Sequence, residues 1–268
     1  MKRRDRPPKQ SGGPSGWDPV ADWYKGWVGE GGSEHHRRLA IPAVLDLLLP
    51  QPGEKIIDIG AGPGVLAPFI AEAQARYTGV DVSPKLLEFA RKHHGNRARF
   101  LLGDARKLAE VRELQAGEFD AAVFLLSIQD MDPLFPVLQS AAWAVRDGGR
   151  VVILMTHPCF RVPRQSGWGW DDGRSLQYRR VDRYLTPLPV PMKTYPGQNR
   201  GVTMSFHRPL QAYINGLADC GFLLDRLNEI PTYKASASGP RAKAENLANQ
   251  EIPLFLGLRA RKLGDGAR

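Results

Sequence analysis

The stretch KIIDIGAGPGVLAPF, from Lys55 to Phe69, constrains the fold more than any other part of the chain. An apolar run ends in Asp58, and three glycines follow within five residues. An apolar run of that length suits a buried strand, and glycines give the backbone the conformations of a tight turn and close access to a ligand. A helical pattern follows from Gly64 to about Ala75, with Pro68 near its first turn, where proline does least harm. Strand, glycine turn and helix in that order present main-chain amides and a helix N-terminus to an anionic group. The dinucleotide fingerprint G-x-G-x-x-G is not met, because Val65 stands where its last glycine would be.

The alternation continues. RYTGVDVS reads as a second strand, with Ser83-Pro84 as N-cap and first position of the next helix. ARFLLGDA is a third strand, followed by an expected short helix near Leu108 to Leu114. FDAAVFLLS is a fourth, with a helix from about Pro133 to Val145, and RVVILMTH is a fifth. Runs apolar on both faces, separated by helices, predict a parallel sheet covered on both sides. Upstream, a helix is expected from Glu34 to Leu49, kinked or restarted at Pro42. From Pro158 to His207 no periodic element is evident, and the segment reads as an irregular lid or binding loop. RPLQAYINGLADCGF is a helix that stops at Gly221, and LLDRL and EIPLFLGLRA follow.

Of the formal net charge of +9, +4 sits in the first sixteen residues and +3 between Arg259 and Arg268, leaving +2 for everything between. The excess therefore belongs to the chain ends, which read as solvated tails able at most to hold RNA loosely. No apolar run approaches the ~20 residues of a membrane span. MKRRDRPPKQSGGPSG reads as a basic disordered leader without the apolar segment of a secretory signal. Cys159 and Cys220 have neither metal-ligand nor redox spacing, which suits a reduced, cytoplasmic setting. No metal site is expected.

Three acidic residues lie on the rim where parallel strands end: Asp58 before the glycines, Asp81 after the second strand, and Asp104 after the third. A carboxylate at the second position can accept both hydroxyls of a ribose. A nicotinamide dehydrogenase would explain Asp81 but gives Asp104 no role, and the chain has no Tyr-x-x-x-Lys pair.

Together, IIDIGAGPG, GVDVSP, LLGDA, FDAAVFLLS and VRDGGRVVIL occur in the order typical of class I S-adenosylmethionine-dependent methyltransferases, which the chain resembles from about Lys55 to Met155. The resemblance implies a Rossmann-like α/β fold: a seven-stranded, mostly parallel sheet with EIPLFLGLRA as its antiparallel last strand. It implies S-adenosyl-L-methionine as methyl donor, its methionine part against Gly60, Ala61 and Gly62, and its amino group near Asp58. Asp81 would take the ribose and Asp104 the adenine edge, with Val82 and Ala105 flanking the ring. Leu126 and Ser127 would sit by the methionine chain.

The acceptor must be read from residues outside those motifs. Trp23 or Tyr24, in the aromatic N-terminal segment, could face the sulfonium. His157 and Arg161 follow the fifth strand on the ligand rim and are candidate catalytic groups, as is Asp130 in SIQD. Trp168, Trp170 and His207 belong to the expected lid region. The expected organisation is a leader over 1–16, an aromatic cap over 17–54, a cofactor core over 55–156, a lid over 157–207, the rest of the sheet over 208–262 and a tail over 263–268. The first expectation is a small organic acceptor. RNA methylation using the basic tails and YRRVDR, a protein substrate, and a binding-only relative are alternatives.

Overall fold

A computed structural model describes residues 16–193 and 202–264. Most of the expected leader and the end of the expected tail lie outside them. A seven-stranded sheet organises the chain: β1 (Lys55–Ile59), β2 (Arg76–Asp81), β3 (Ala98–Leu102), β4 (Phe119–Leu125), β5 (Val145–Thr156), β10 (Phe222–Ile230) and β11 (Phe255–Lys262). Their order is β10-β11-β5-β4-β1-β2-β3. β3, β2, β1, β4 and β5 are parallel, whereas β11 is antiparallel to both its neighbours. The ladder of β11 begins at Phe255, two residues after Pro253, so the missing proline N–H costs no sheet bond. The doubly wound sheet read from the sequence is the one observed.

Both faces are covered. α5 (Leu134–Ala144) and α6 (Leu210–Asp219) bury Val137, Leu138, Tyr213 and Leu217 against Ile57, Phe124 and Ile153 on one side. On the other, α2 (Ile41–Leu48), α3 (Ala67–Glu72) and α4 (Pro84–His94) bury Val44, Leu47, Ile70 and Leu87 against Ile56, Val123 and Val152. Ser83 caps α4, accepting the Leu86 N–H at 3.3 Å. Ahead of α2 the chain forms a π-helical turn over His36–Ala40, and Pro42 lies in the first turn of α2 itself. The restart expected at Pro42 is therefore a change of helical pitch, which accommodates the absent N–H. An N-terminal helix, α1 (Ala21–Val28), lies over the rim, and α7 (Ala242–Glu251) precedes β11. Among the described residues no helix is long and apolar enough to cross a membrane.

Two expectations are corrected. The helix near Leu108 to Leu114 is only a 3-10 turn, Leu108–Glu110. The segment after β5 is not irregular: it forms two β-hairpins, β6 (Ser166–Asp171) with β7 (Leu176–Val181), and β8 (Leu188–Lys193) with β9 (Val202–His207). In β6, glycines alternate with Trp168 and Trp170, and a Cβ on Gly169 would meet the Tyr178 ring at 2.4 Å. The glycines thus make room for cross-strand aromatics instead of marking loop. In β8, Pro189 and Pro191 are two residues apart and share one edge of the ribbon. The Pro191 carbonyl accepts from Arg164 at 3.3 Å, outside the β8–β9 ladder.

Two buried arginines hold the C-terminal carbonyls of α2, which otherwise lack partners. Arg150 on β5 donates through Nε to the Leu48 carbonyl at 2.6 Å and forks onto Glu54 at 2.8 and 2.6 Å. Arg259 on β11 donates through Nη1 to the Leu47 carbonyl at 3.1 Å while its Nε and Nη2 engage Asp225, both at 2.9 Å. Replacing Arg150 with leucine strands Glu54 and the helix end together. The expected loss is about 3 kcal/mol, read as a lower urea midpoint with an unchanged slope.

Candidate active site

After β1 the backbone turns through Gly60, Gly62 and Gly64, with φ of +78°, +53° and +78°. Side chains are also excluded sterically at the first and last: a Cβ on Gly60 would lie 2.6 Å from Met131 Cε and 2.7 Å from Ser127 Cβ, and one on Gly64 would lie 2.8 Å from the Phe100 ring. The Gly60 and Ala61 amides donate to the Val80 carbonyl at 2.8 and 3.1 Å. The Gly62 amide donates to Asp81 Oδ2 at 2.8 Å, and Asp81 Oδ1 accepts the Ser83 amide at 2.8 Å. Asp81 therefore braces the turn and keeps a second lone pair on each oxygen for a ligand. Burial raises its carboxyl above the ordinary range, against the backbone donors of Ser83, Gly62 and Val82. Val82 beside it is 43% exposed.

Asp58 is fully enclosed. Tyr77 donates to its Oδ2 at 2.7 Å, while the buried Oδ1 has no partner. Burial, assisted by the charge of Asp81 and opposed by the Tyr77 hydrogen bond, pushes this carboxyl up to about 7. Asp104 differs from both. Arg106 forks onto it, Nε to Oδ1 at 2.9 Å and Nη2 to Oδ2 at 2.6 Å, and those hydrogen bonds hold it below the usual carboxylate range. Ala105 packs partly buried on the α5 face of the core. Leu126, just past β4, takes φ +54°, its amide donating to the Leu154 carbonyl at 2.8 Å and its own carbonyl accepting from Gln129 Nε2 at 2.6 Å. Ser127 Oγ donates to the Ile59 carbonyl at 2.7 Å.

α1 roofs the turn. A Cβ on Gly62 would lie 3.7 Å from the Tyr24 ring, and Trp17 packs edge-on against Tyr24 with centroids 5.1 Å apart. The segment is tied to the rim by Ser83 Oγ, which donates to Asp18 Oδ1 at 2.6 Å. Burial, then the charges of Asp130, Asp81 and Asp58, raise the Tyr24 hydroxyl well above its ordinary value. Asp130 ends a 3-10 turn, Ile128–Asp130, and its buried Oδ1 has no partner. Burial pushes its carboxyl up to about 7 against the Ser205 hydroxyl and the Arg208 charge. The structure thus gathers Tyr24, Asp58, Asp81 and Asp130 around one turn.

His157 and Arg161 hydrogen-bond with none of these four. His157 is 2% exposed, its Nδ1 accepting the Cys159 amide at 3.2 Å. Nε2 then carries the proton and donates to Glu229 Oε1 at 2.9 Å, so both ring nitrogens are engaged. Burial lowers its pKa. Arg161 donates to the Pro253 and Ile252 carbonyls, both at 3.1 Å, and its guanidinium lies 5.1 Å from the Trp168 centroid. Burial lowers it to about 10. Both side chains join the base of the insertion to the β10–β11 end of the sheet. His207 is likewise engaged, through Nε2, with the Tyr184 carbonyl at 2.7 Å. Sequence reasoning missed Tyr77, Gln129 and Arg208, whose significance comes from tertiary neighbours; only the place of Gln129 beside Asp130 could have pointed to it.

Chemically, an unpartnered buried carboxylate oxygen suits a cation, Asp81 suits a diol, and an aromatic roof suits a sulfonium. That donor set fits S-adenosylmethionine.

A family model described as a methyltransferase domain matches residues 56–149, from β1 into β5. The chain is similar to the ubiquinone biosynthesis O-methyltransferase of Dechloromonas aromatica, 31% identical over 111 residues, which are 41% of this chain and 47% of that protein. It is also similar to the demethylmenaquinone methyltransferase of Beutenbergia cavernae, 26% identical over 159 residues, 59% of this chain and 60% of that protein. The chain spans about half the length of the curated relatives it matches. Among solved structures it is similar to an S-adenosylmethionine-dependent methyltransferase from Mesorhizobium loti, at 27% identity and a TM-score of 0.65 over 82% of this chain and 96% of that one. A Burkholderia thailandensis 1,6-didemethyltoxoflavin-N1-methyltransferase with bound S-adenosylhomocysteine, at 17% identity and a TM-score of 0.54, shares the fold alone. The domain match and the Mesorhizobium likeness agree with the strand order and the braced glycine turn, and the chain carries a methyltransferase domain of the S-adenosylmethionine-dependent kind over residues 56–149.

Proposed function

We propose that this protein transfers a methyl group from S-adenosylmethionine to a small organic acceptor. The observation that carries the reading is the buried Asp58 Oδ1, without a partner, beside a glycine turn that Asp81 braces and Tyr24 covers. Two relatives, one named a ubiquinone biosynthesis O-methyltransferase and one a demethylmenaquinone methyltransferase, support a small acceptor.

In this reading Asp58 holds the ammonium, Asp81 the ribose hydroxyls, and Asp104, with Arg106 turned aside or shared, the adenine amino group. Tyr24 lies over the sulfonium, a contact worth ~0.5–2 kcal/mol. When bound, the cofactor supplies an electrophilic methyl carbon for in-line displacement. The protein's part is alignment and exclusion of water, and Asp130 is the base that takes a proton from the acceptor. The insertion closes over the acceptor, with His157 and Arg161 holding its base in position. Two of the three arginines of YRRVDR are engaged within the fold: Arg179 serves the Phe160 carbonyl and Ser166 Oγ, and Arg180 pairs with Asp182 at 2.9 Å.

Labelled S-adenosylmethionine, incubated with the protein and a cell extract, tests the acceptor class. Label is expected in the small-molecule fraction, and nuclease-sensitive label in RNA would refute the reading. For the cofactor site, Asp81→Asn is expected to weaken S-adenosylhomocysteine binding about tenfold by calorimetry, since a charged hydrogen-bond acceptor is lost. It also loosens the fold, because the Gly62 and Ser83 amides lose a charged partner.

Asp58→Asn separates charge from shape. A carboxyl raised from 3.8 to about 7 stabilises the ligand-free fold most below pH 4, and that contribution is lost as pH rises through 7. The stability of wild type relative to Asp58→Asn, from urea midpoints, is therefore expected to fall between about pH 4 and pH 7. A pH-independent difference would remove Asp58 from the set of strained carboxyls.

A further inference from the structure

Three of the buried side-chain atoms that lack a hydrogen-bond partner belong to one small cluster: Gln129 Oε1, Asp130 Oδ1 and Arg208 Nη1. Arg208, between β9 and α6, has a side chain only 8% exposed. Its Nη2 donates to the Met131 carbonyl at 2.7 Å and to Asp132 Oδ1 at 2.8 Å, which fixes the guanidinium beside the turn carrying Gln129 and Asp130. Gln129 is fixed by its Nε2, which holds the carbonyl of Leu126 in its left-handed conformation. The side chains are thus anchored by one end and unsatisfied at the other. Asp130 Oδ1 and Arg208 Nη1 do not bond each other, although the charge of Arg208 acts on the Asp130 carboxyl. Met131, next to Asp130 in sequence and bonded through its carbonyl to Arg208, reaches the Gly60 turn, and the charge of Asp130 acts on Tyr24. The cluster therefore adjoins the end of the cofactor site where the methyl group would lie.

Unsatisfied polar atoms in a buried setting cost ~1–3 kcal/mol each, more when charged, so three in one place favour a polar partner there. Their inventory specifies it: two acceptors require two donated hydrogens, and one donor requires one lone pair. We propose that Asp130, Gln129 and Arg208 form the acceptor site, and that the acceptor carries two neighbouring hydroxyls on an unsaturated carbon frame, an ene-diol or a catechol. This rests on the methyl-transfer reading and names its substrate class. The reacting hydroxyl donates to Asp130 Oδ1. The second hydroxyl accepts from Arg208 Nη1 and donates to Gln129 Oε1. Unsaturation is required because a carboxylate can take a proton from a phenol or enol, with a pKa of about 10, but not from a saturated alcohol. In the step, the hydroxyl proton passes to Asp130 and the oxygen lone pair forms the new O–C bond. The C–S bonding pair stays on sulfur, neutralising it. The products are a methyl ether and S-adenosylhomocysteine, and Asp130 returns its proton to solvent.

The test uses the full chain, methyl-labelled S-adenosylmethionine and three probes: catechol, phenol and cyclohexane-1,2-diol. Catechol is expected to be methylated, phenol with kcat/KM about tenfold lower for want of the second hydroxyl, and the saturated diol not at all. Asp130→Asn is expected to lower kcat for catechol about 100-fold. Arg208→Lys, which keeps the charge but loses the fork, is expected to raise the catechol KM about tenfold. Calorimetric affinity for S-adenosylhomocysteine, measured on every variant, is expected to stay within about twofold of wild type, showing that each is folded. Equal turnover of phenol and catechol, no turnover of catechol by a protein that binds S-adenosylhomocysteine, or full activity in Asp130→Asn overturns the proposal. Failure of the wild type to bind S-adenosylhomocysteine overturns instead the methyl-transfer reading beneath it.

Discussion

A single carboxylate, that of Asp81, joins the parts on which the rest of this rim depends. It receives the Gly62 amide on one oxygen and the Ser83 amide on the other, binding the glycine turn after β1 to the start of α4. Ser83 in turn caps α4 and ties the N-terminal segment through Asp18. The geometry of the turn, the origin of α4 and the seating of the aromatic roof are therefore one network. Burying an acidic group for this purpose carries a desolvation cost, visible in its raised carboxyl and in those of Asp58 and Asp130 nearby. Three raised carboxyls around one turn show where the fold concentrates that cost.

The core of the fold was legible because it obeys short-range rules. Strands buried on both faces read as continuous apolar runs, glycines announced the turn after β1, and Ser83-Pro84 announced α4. Pro253 limited where the last strand could begin, and the structure begins it at Phe255. The insertion resisted because β6 and β8, the first strand of each hairpin, do not alternate apolar with polar residues. β6 alternates glycine with tryptophan to admit Tyr178, and β8 carries two prolines on a free edge. Composition alone makes both look like loop.

At the site, residues named by a motif were easier to find than residues named by a neighbour. Asp58, Gly60, Gly62 and Asp81 lie within one stretch of strand, turn, helix and strand, so their joint position follows from chain order. Arg208 lies 78 positions from Asp130, and nothing local distinguishes it from any other arginine before a helix. His157 shows the converse limit. Its place just past β5 could be read, but not that Cys159 and Glu229 would occupy both ring nitrogens. Rim position identifies where chemistry can occur, while hydrogen-bond partners decide which side chains are left to perform it.

The tryptophans of β6 also bear on movement. Trp168 receives the guanidiniums of Arg161 and Arg179, and Trp170 receives Arg241, at the edge of α7, at 4.4 Å. Arg161 meanwhile grips the carbonyls of Ile252 and Pro253, where α7 passes into β11. Swinging the β6–β7 ribbon outward must break these stacks or carry α7 with it. Displacement of that ribbon is thereby coupled, through Arg161 and Arg241, to the segment that leads from α7 into β11.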